Sequence, residues 1–214
     1  MTSKTTSYIL GIDLGTTSIK VVLLNPTNHA VIESSSQATD ANISCNSATA
    51  GNDEQDVDII CKVLQFCLLK LDQEKLSKAS QIGVSGQMHG IVLWKGKPWR
   101  RNQEGIIEVV PDAHSCLYTW QDSRCTGDFL ASLPKPKSHL RLATGHGCAT
   151  LFWLQRHRPE YVKRFDRAGT VMDFVVAALC DLDAPVMSVQ NAASWGYFDT
   201  IQNAWNTERY VLHV

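Results

Sequence analysis

Residues 8–24 read YILGIDLGTTSIKVVLL. Tyr8, Ile9 and Ile12 on one side and Ile19, Val21 and Val22 on the other are apolar or β-branched at strand spacing, so the stretch reads as a hairpin. A third apolar run, Ala30-Val31-Ile32, follows the turn-forming Asn25-Pro26-Thr27-Asn28 and extends it to an antiparallel meander. The linker Asp-Leu-Gly-Thr-Thr-Ser carries one carboxylate, one glycine and three hydroxyls. A tight turn gathers the amides of Gly15, Thr16 and Thr17 on one side, where the hydroxyls of Thr16, Thr17 and Ser18 can donate to phosphate oxygens. Asp13, at the end of the first strand, can hold Mg²⁺ or its coordinated water, and Lys20 supplies a nearby cation. The stretch lacks Gly-Lys-Ser/Thr and leads into a strand, which excludes a Walker loop. The competing reading is a hairpin whose Asp and Gly only shape the turn; successive hydroxyls exceed what turn geometry asks, and favour phosphate.

Composition narrows the classes further. A chain of 214 residues can bury one good core, or one large domain with an excursion. Twenty basic against twenty-one acidic residues give a net charge of −1, so no global field favours nucleic acid or anionic lipid. The amino terminus has no secretory signal, and no apolar run approaches the ~20 residues that span a bilayer. The expectation is a soluble, cytoplasmic protein without nucleic-acid or membrane partners. Seven cysteines, at 45, 61, 67, 116, 125, 148 and 180, are odd in number and lack Cys-x-x-Cys or zinc-ligand spacing, so they read as reduced thiols.

Residues 38–53 are small and polar, as in a surface loop or disordered insertion. Asp53 and Asp56 then stand where an N-cap and a first-turn acid belong, ahead of Val57, Ile60, Val63, Leu64, Cys67, Leu68 and Leu71 at helical spacing. A strand at Gln81–Ser85 breaks at Gly86 and resumes at Ile91–Trp94, leaving Gln87-Met88-His89 in the gap. Residues 95–115 suggest a long exposed connection, and Leu117–Trp120 another strand. Helical patterns follow at 148–157, 158–165 and 171–181. Phe152, Trp153, Leu154 and Met172 read as core, Lys135, Lys137 and Arg141 as a solvated basic stretch, and His146 as a loop residue. This order of elements is that of an α/β domain.

GIDLGTTSIK resembles the first phosphate-binding hairpin of the actin-like ATPase superfamily. Within it, Gly83–Gly90 (GVSGQMHG) and Thr119–Arg124 (TWQDSR) are similar to sugar-contacting segments of the FGGY carbohydrate kinases. FLASLPKPKSHL, ATGHGCATLFWL, RPEY and MSVQNAASWGYFDT, between 129 and 200, resemble the animal branch of that family that acts on the seven-carbon ketose sedoheptulose. The likeness runs from about residue 8 to 206, and the tail from 207 departs from the pattern.

The resemblance implies an actin-like (ribonuclease H-like) domain, a mixed sheet with flanking helices, forming the N-terminal part of an ATP- and Mg²⁺-dependent kinase. It implies that Thr16, Thr17, Ser18 and Lys20 touch nucleotide phosphate, that Asp13 organises the metal, and that Met88, His89, Trp120 and Asp122 meet the sugar. For Trp120 a core aromatic is an equal alternative; for Asp122 the alternative is an ion pair with Arg124 capping the next helix. It further implies that the aspartate base and the adenosine pocket belong to a C-terminal domain outside this chain. The chain alone would then have little activity, and an apolar surface left bare would make it poorly soluble. A five-carbon ketose such as D-xylulose, or a non-catalytic sugar-binding role, are the competing expectations.

Overall fold

The computed structural model describes residues 7–43, 51–102 and 107–207. β1 (Tyr8–Leu14), β2 (Ser18–Leu24) and β3 (Val31–Ala38) form the expected meander, with Ile12 opposite Val21 and Val21 opposite Ser35. Leu10, Ile12 and Leu14 alternate with Gly11 and Asp13, and Ile19, Val21 and Leu23 alternate with Lys20 and Val22. The period of two therefore sends one set into the core and leaves Asp13 and Lys20, which are cross-strand partners, on the open face.

The polar stretch at 38–53 is described only at its two ends; residues 44–50, including Cys45, lie outside the described residues. It leads into β4 (Glu54–Gln55) and α1 (Val57–Leu69). The N-cap of α1 is Asp56, whose Oδ1 accepts from the amides of Asp58 (2.8 Å) and Ile59 (3.2 Å), and the first-turn acid is Asp58. Asp53 stands outside the helix because β4 intervenes and pairs with a later strand. Val57, Ile60, Leu64 and Cys67 bury one face of α1 under the sheet. A short α2 (Gln73–Leu76) then delivers β5 (Ala79–Gly86), which joins β1 in parallel and completes the order β3-β2-β1-β5. The register places Ser85 beside Asp13 and Gly86 beside Leu14.

β6 (Val92–Trp94) is buried throughout. The stretch expected as an exposed connection instead holds a hairpin of β7 (Trp99–Arg101) and β8 (Ile107–Val109). Trp99 supplies the reason: its ring is buried edge-on against Phe174, centroids 5.7 Å apart, and pins the hairpin to the core. β9 (Leu117–Tyr118) pairs with β4 and ends before Trp120, which sits in the following turn. α3 (Gly127–Ala131), capped by Thr126, was not foreseen in the sequence.

α4 (Gly147–His157) and α5 (Pro159–Val162) fall where helical patterns were read, and β10 (Arg167–Gly169) then pairs with β6. α6 (Val171–Cys180), the third predicted helix, starts with a capping box between Thr170 and Asp173. α7 (Val189–Trp195), β11 (Phe198–Asp199) and β12 (Ala204–Trp205) close the described chain, and residues 208–214, most of the stretch expected to be a divergent tail, lie outside the described residues. One core packs α1 and α6 against the sheet; a second gathers Ile91, Tyr118, Phe152, Leu154, Trp195 and Tyr197. Lys135, Lys137 and Arg141 are exposed, as expected.

The six described cysteines are free, and burial together with Asp58 and Asp56 pushes the Cys61 thiol up to about 12, so it stays protonated at neutral pH. No described helix is long and apolar enough to cross a membrane. Because Asp56 satisfies two otherwise orphaned amides of α1, Asp56→Ala is expected to cost about 1 kcal/mol in urea denaturation with an unchanged m-value.

Candidate functional site

The hairpin turn at Gly15–Thr17 is braced from behind. Gln55 Nε2 (2.8 Å) and Thr39 Oγ1 (3.2 Å) both donate to the Thr16 carbonyl, and the Thr39 amide donates to the Thr17 carbonyl (3.0 Å). A trans peptide directs its N–H opposite to its C=O, so holding the Thr16 carbonyl inward turns the Thr17 amide outward. A Cβ on Gly15 would lie 2.7 Å from the Ser18 carbonyl oxygen, so the tight turn itself requires glycine there.

Thr17 and Lys20 are exposed. Asp13 accepts only a long bond from Ser85 Oγ (3.4 Å) and forms no ion pair with Lys20 among the described residues. Asp13, Lys20, Ser34, Ser36, Gly83 and Ser85 line an open groove of about 620 Å³ on the uncovered face of the sheet. Outward amide, hydroxyls, cation and an available carboxylate fit a phosphate chain with a divalent cation beside it.

Beyond β5, the chain turns through Gln87, Met88 and His89, and His89 adopts a left-handed backbone with φ of 72°. Met88 and Trp120 are 36% and 46% exposed, which places both at the surface and removes Trp120 from the core. Trp120 Nε1 donates to Thr16 Oγ1 (3.1 Å), so the indole is fixed to the phosphate hairpin while the Thr16 hydroxyl keeps its own proton to donate.

A second link was missed in the sequence. Gln87 Nε2 donates to Gln55 Oε1 (2.9 Å), and Gln55, 1% exposed, donates to Thr16 and to Asn42 Oδ1 (2.8 Å). Gln55 thus joins the hairpin to the Met88–His89 turn. The signal available was slight: a glutamine in a two-residue strand before a helix carries no motif.

Asp122 does not join this set. It is fully buried, and Oδ1 accepts from the Arg124 amide (3.1 Å) and Nε (2.8 Å) while Oδ2 accepts from Arg124 Nη2 (2.7 Å) and the Asp53 amide (3.0 Å). With every contact directed inward, the geometry is that of the ion pair with Arg124 and leaves no oxygen for a sugar. Arg124 Nη2 also donates to Glu54 Oε1 (2.5 Å), and the guanidinium lies 4.5 Å from the Tyr118 ring centroid and 5.2 Å from that of Trp153.

His146, read as a loop residue, stacks on His89 with centroids 4.3 Å apart and planes 4° from parallel. Burial lowers the pKa of both rings from the ordinary value near 6.5, and His89 lowers that of His146 further while a backbone hydrogen bond to Ser194 opposes it. Among the described residues no group of three or more His, Cys, Asp or Glu could hold a metal ion.

With this geometry in place, the comparisons with known proteins fall into line. Residues 8–212 match the N-terminal domain of the FGGY family of carbohydrate kinases. The chain belongs to that family. It is 53% identical over 208 residues to human sedoheptulokinase, covering 93% of this chain and 44% of that protein. Against the xylulose kinase of Escherichia coli it is 26% identical over 203 residues, covering 92% and 38%. In fold it is similar to xylulose kinase from Rhodospirillum rubrum (TM-score 0.74, 18% identity, 96% of this chain and 41% of that one). A glycerol kinase from Plasmodium falciparum, solved with ADP, matches equally well (TM-score 0.74, 17% identity, 97% and 41%). The chain spans less than half the length of these relatives.

Two outcomes test the site's framework. Arg124→Met strands a buried carboxylate and is expected to cost about 3–5 kcal/mol in denaturant unfolding, while adding Asp122→Leu recovers part of the loss. The histidine pair, with folded pKa values below the unfolded one, binds fewer protons folded than unfolded. Its contribution is complete above pH 6.5 and falls as pH drops through the folded values. The urea midpoint should therefore fall on acidification more steeply in the native chain than in His146→Phe.

Proposed function

We propose that this chain is the ketose-recognising and phosphate-facing part of a cytoplasmic ATP-dependent kinase that phosphorylates sedoheptulose. The observation that carries the reading is the 53% identity to human sedoheptulokinase across nearly the whole chain, against 26% to the Escherichia coli xylulose kinase. The geometry supports it, because both segments expected to meet a sugar reach Thr16 of the hairpin, Trp120 directly and the Gln87–His89 turn through Gln55.

Phosphoryl transfer depends on positioning and charge neutralisation more than on covalent chemistry. The Thr17 amide and the hydroxyls of Thr16, Thr17 and Ser18 hold phosphate oxygens, and Lys20 offsets their charge. Asp13 holds Mg²⁺, which when bound supplies the main counter-charge to the phosphates. The Trp120 ring and Met88 side chain give the carbon skeleton an apolar wall, and His89 exchanges a hydrogen bond with a ketose hydroxyl. Asp122 supports the wall from behind by fixing the turn that carries Trp120.

The experiment is equilibrium binding to the purified chain, followed by coupled ADP release. Sedoheptulose is expected to bind at least about tenfold more tightly than D-xylulose, a difference of about 1.4 kcal/mol. His89→Asn, a residue that tolerates the left-handed backbone, should weaken ketose binding about tenfold and leave nucleotide binding unchanged; Asp13→Asn should weaken Mg²⁺-dependent nucleotide binding alone. The 214 residues by themselves should release little ADP. Preference for xylulose would move the assignment to a pentulose kinase, and robust turnover by the chain alone would overturn its role as a part of a larger site.

A further inference from the structure

Gly145 and His146 lie on the loop that precedes α4, at a distance in sequence from every residue placed against the sugar. Gly145 has a φ of 72°, and a Cβ there would lie 2.1 Å from the Trp120 carbonyl oxygen, so the loop backbone is pressed directly against the Trp120 turn. Thr144 Oγ1 donates to the Asp122 carbonyl (3.0 Å) and ties the loop to the same turn one step further on. The next residue, His146, lays its ring flat on His89. One short loop therefore touches both the backbone that carries the Trp120 indole and the His89 imidazole, the two rings that flank the proposed ketose position.

The details of the stack say what it does. Nδ1 of His89 and Nδ1 of His146 are both buried with no hydrogen-bond partner among the described residues. A ring whose Nδ1 is shut away can meet a ligand only through Nε2, and nothing around Nδ1 selects its tautomer by hydrogen bonding. Orientation must then come from ring packing, and parallel overlap at 4.3 Å supplies it. Burial lowers the pKa of each ring from the ordinary 6.5, so above that pH the pair is neutral and His89 Nε2 is either a donor or an acceptor but not a second N–H of an imidazolium.

We propose that His146 is a positioning residue for ketose recognition: by stacking on His89 it fixes the plane of that imidazole, and so the direction in which Nε2 meets a sugar hydroxyl. His146 itself does not touch the sugar. The inference rests on the ketose reading given above, and it adds a specificity element drawn from outside the strand-borne turn. A misaligned imidazole loses hydrogen-bond strength steeply with angle, so loss of the stack is felt mainly in sugar affinity.

The test uses the whole 214-residue chain, with nitrogen-15 spectra of the histidine rings and sedoheptulose as the probe. Two variants separate stacking from folding. His146→Phe keeps an aromatic face, and His146→Asn removes the ring while placing a favourable N-cap at the head of α4, where His146 makes no side-chain cap. In the native chain His89 is expected to be neutral, with an Nε2 signal that shifts with sedoheptulose. His146→Asn should diminish that Nε2 shift and weaken sedoheptulose binding about tenfold, with ATP binding unchanged. His146→Phe should stay within about threefold of the native affinity. Native affinity and an unaltered Nε2 shift of His89 in His146→Asn would overturn the positioning role alone. An equal loss in both variants would also overturn it, since stacking would not be the carrier. A native chain whose His89 does not respond to sedoheptulose would remove the ketose reading itself, and the inference with it.

Discussion

The buried guanidinium of Arg124 is the interaction on which the site's geometry depends. It grips Asp122 with two nitrogens, reaches Glu54 of β4, and lies over the rings of Tyr118 in β9 and Trp153 in α4. Four separate segments thus converge on one cation that has almost no contact with water. Such an arrangement need not add much net stability, since desolvating the charges offsets most of their attraction. What it does is specify a single packing, because any other leaves a charge buried without its partner. The turn that carries Trp120 begins at that anchor, and its position follows from it.

From the anchor, order spreads to the two halves of the site by different routes. Trp120 bonds to the Thr16 hydroxyl, whereas Gln55, one residue after Glu54, bonds to the Thr16 carbonyl and to Gln87. The groups proposed to meet phosphate and those proposed to meet sugar are therefore parts of one hydrogen-bonded assembly. For a reaction whose barrier is lowered chiefly by alignment, such rigidity is chemically useful, because small displacements of either reactant are expensive. Gln55 is buried with its amide fully engaged, so this connection is not diluted by water.

Much of the fold could be read from the chain because alternation and helical spacing are local. The meander, α1, α4 and α6 fall where apolar periodicity put them, and the hydroxyl-rich bend lies at the head of a hairpin as expected. Pairing partners were beyond reach. β5 beside β1, β9 beside β4 and β10 beside β6 join segments far apart in sequence, and nothing in any one of them names its mate. The same limit explains the missed residues. Gln55 matters through Thr16 and Gln87, and His146 through His89, which are relations between positions rather than properties of either. Asp122 shows the opposite case: its spacing to Arg124 suggested an ion pair, while its family likeness suggested sugar, and burial decides for the ion pair. Trp99 lies within the 95–115 stretch expected as an exposed connection, although its own ring holds the β7–β8 hairpin in place.

β5 has a hydrogen-bonded neighbour on one side alone among the described residues, whereas β1 is held on both. Half of its peptide groups are left to water, and its sequence, with glycines at 83 and 86 and no aromatic side chain, adds little bulk to stiffen it. The turn bearing Met88 and His89 thus hangs from an edge ribbon of the sheet. The turn is therefore steadied by side chains, the Gln87–Gln55 hydrogen bond and the His89–His146 stack, in place of a second neighbouring strand.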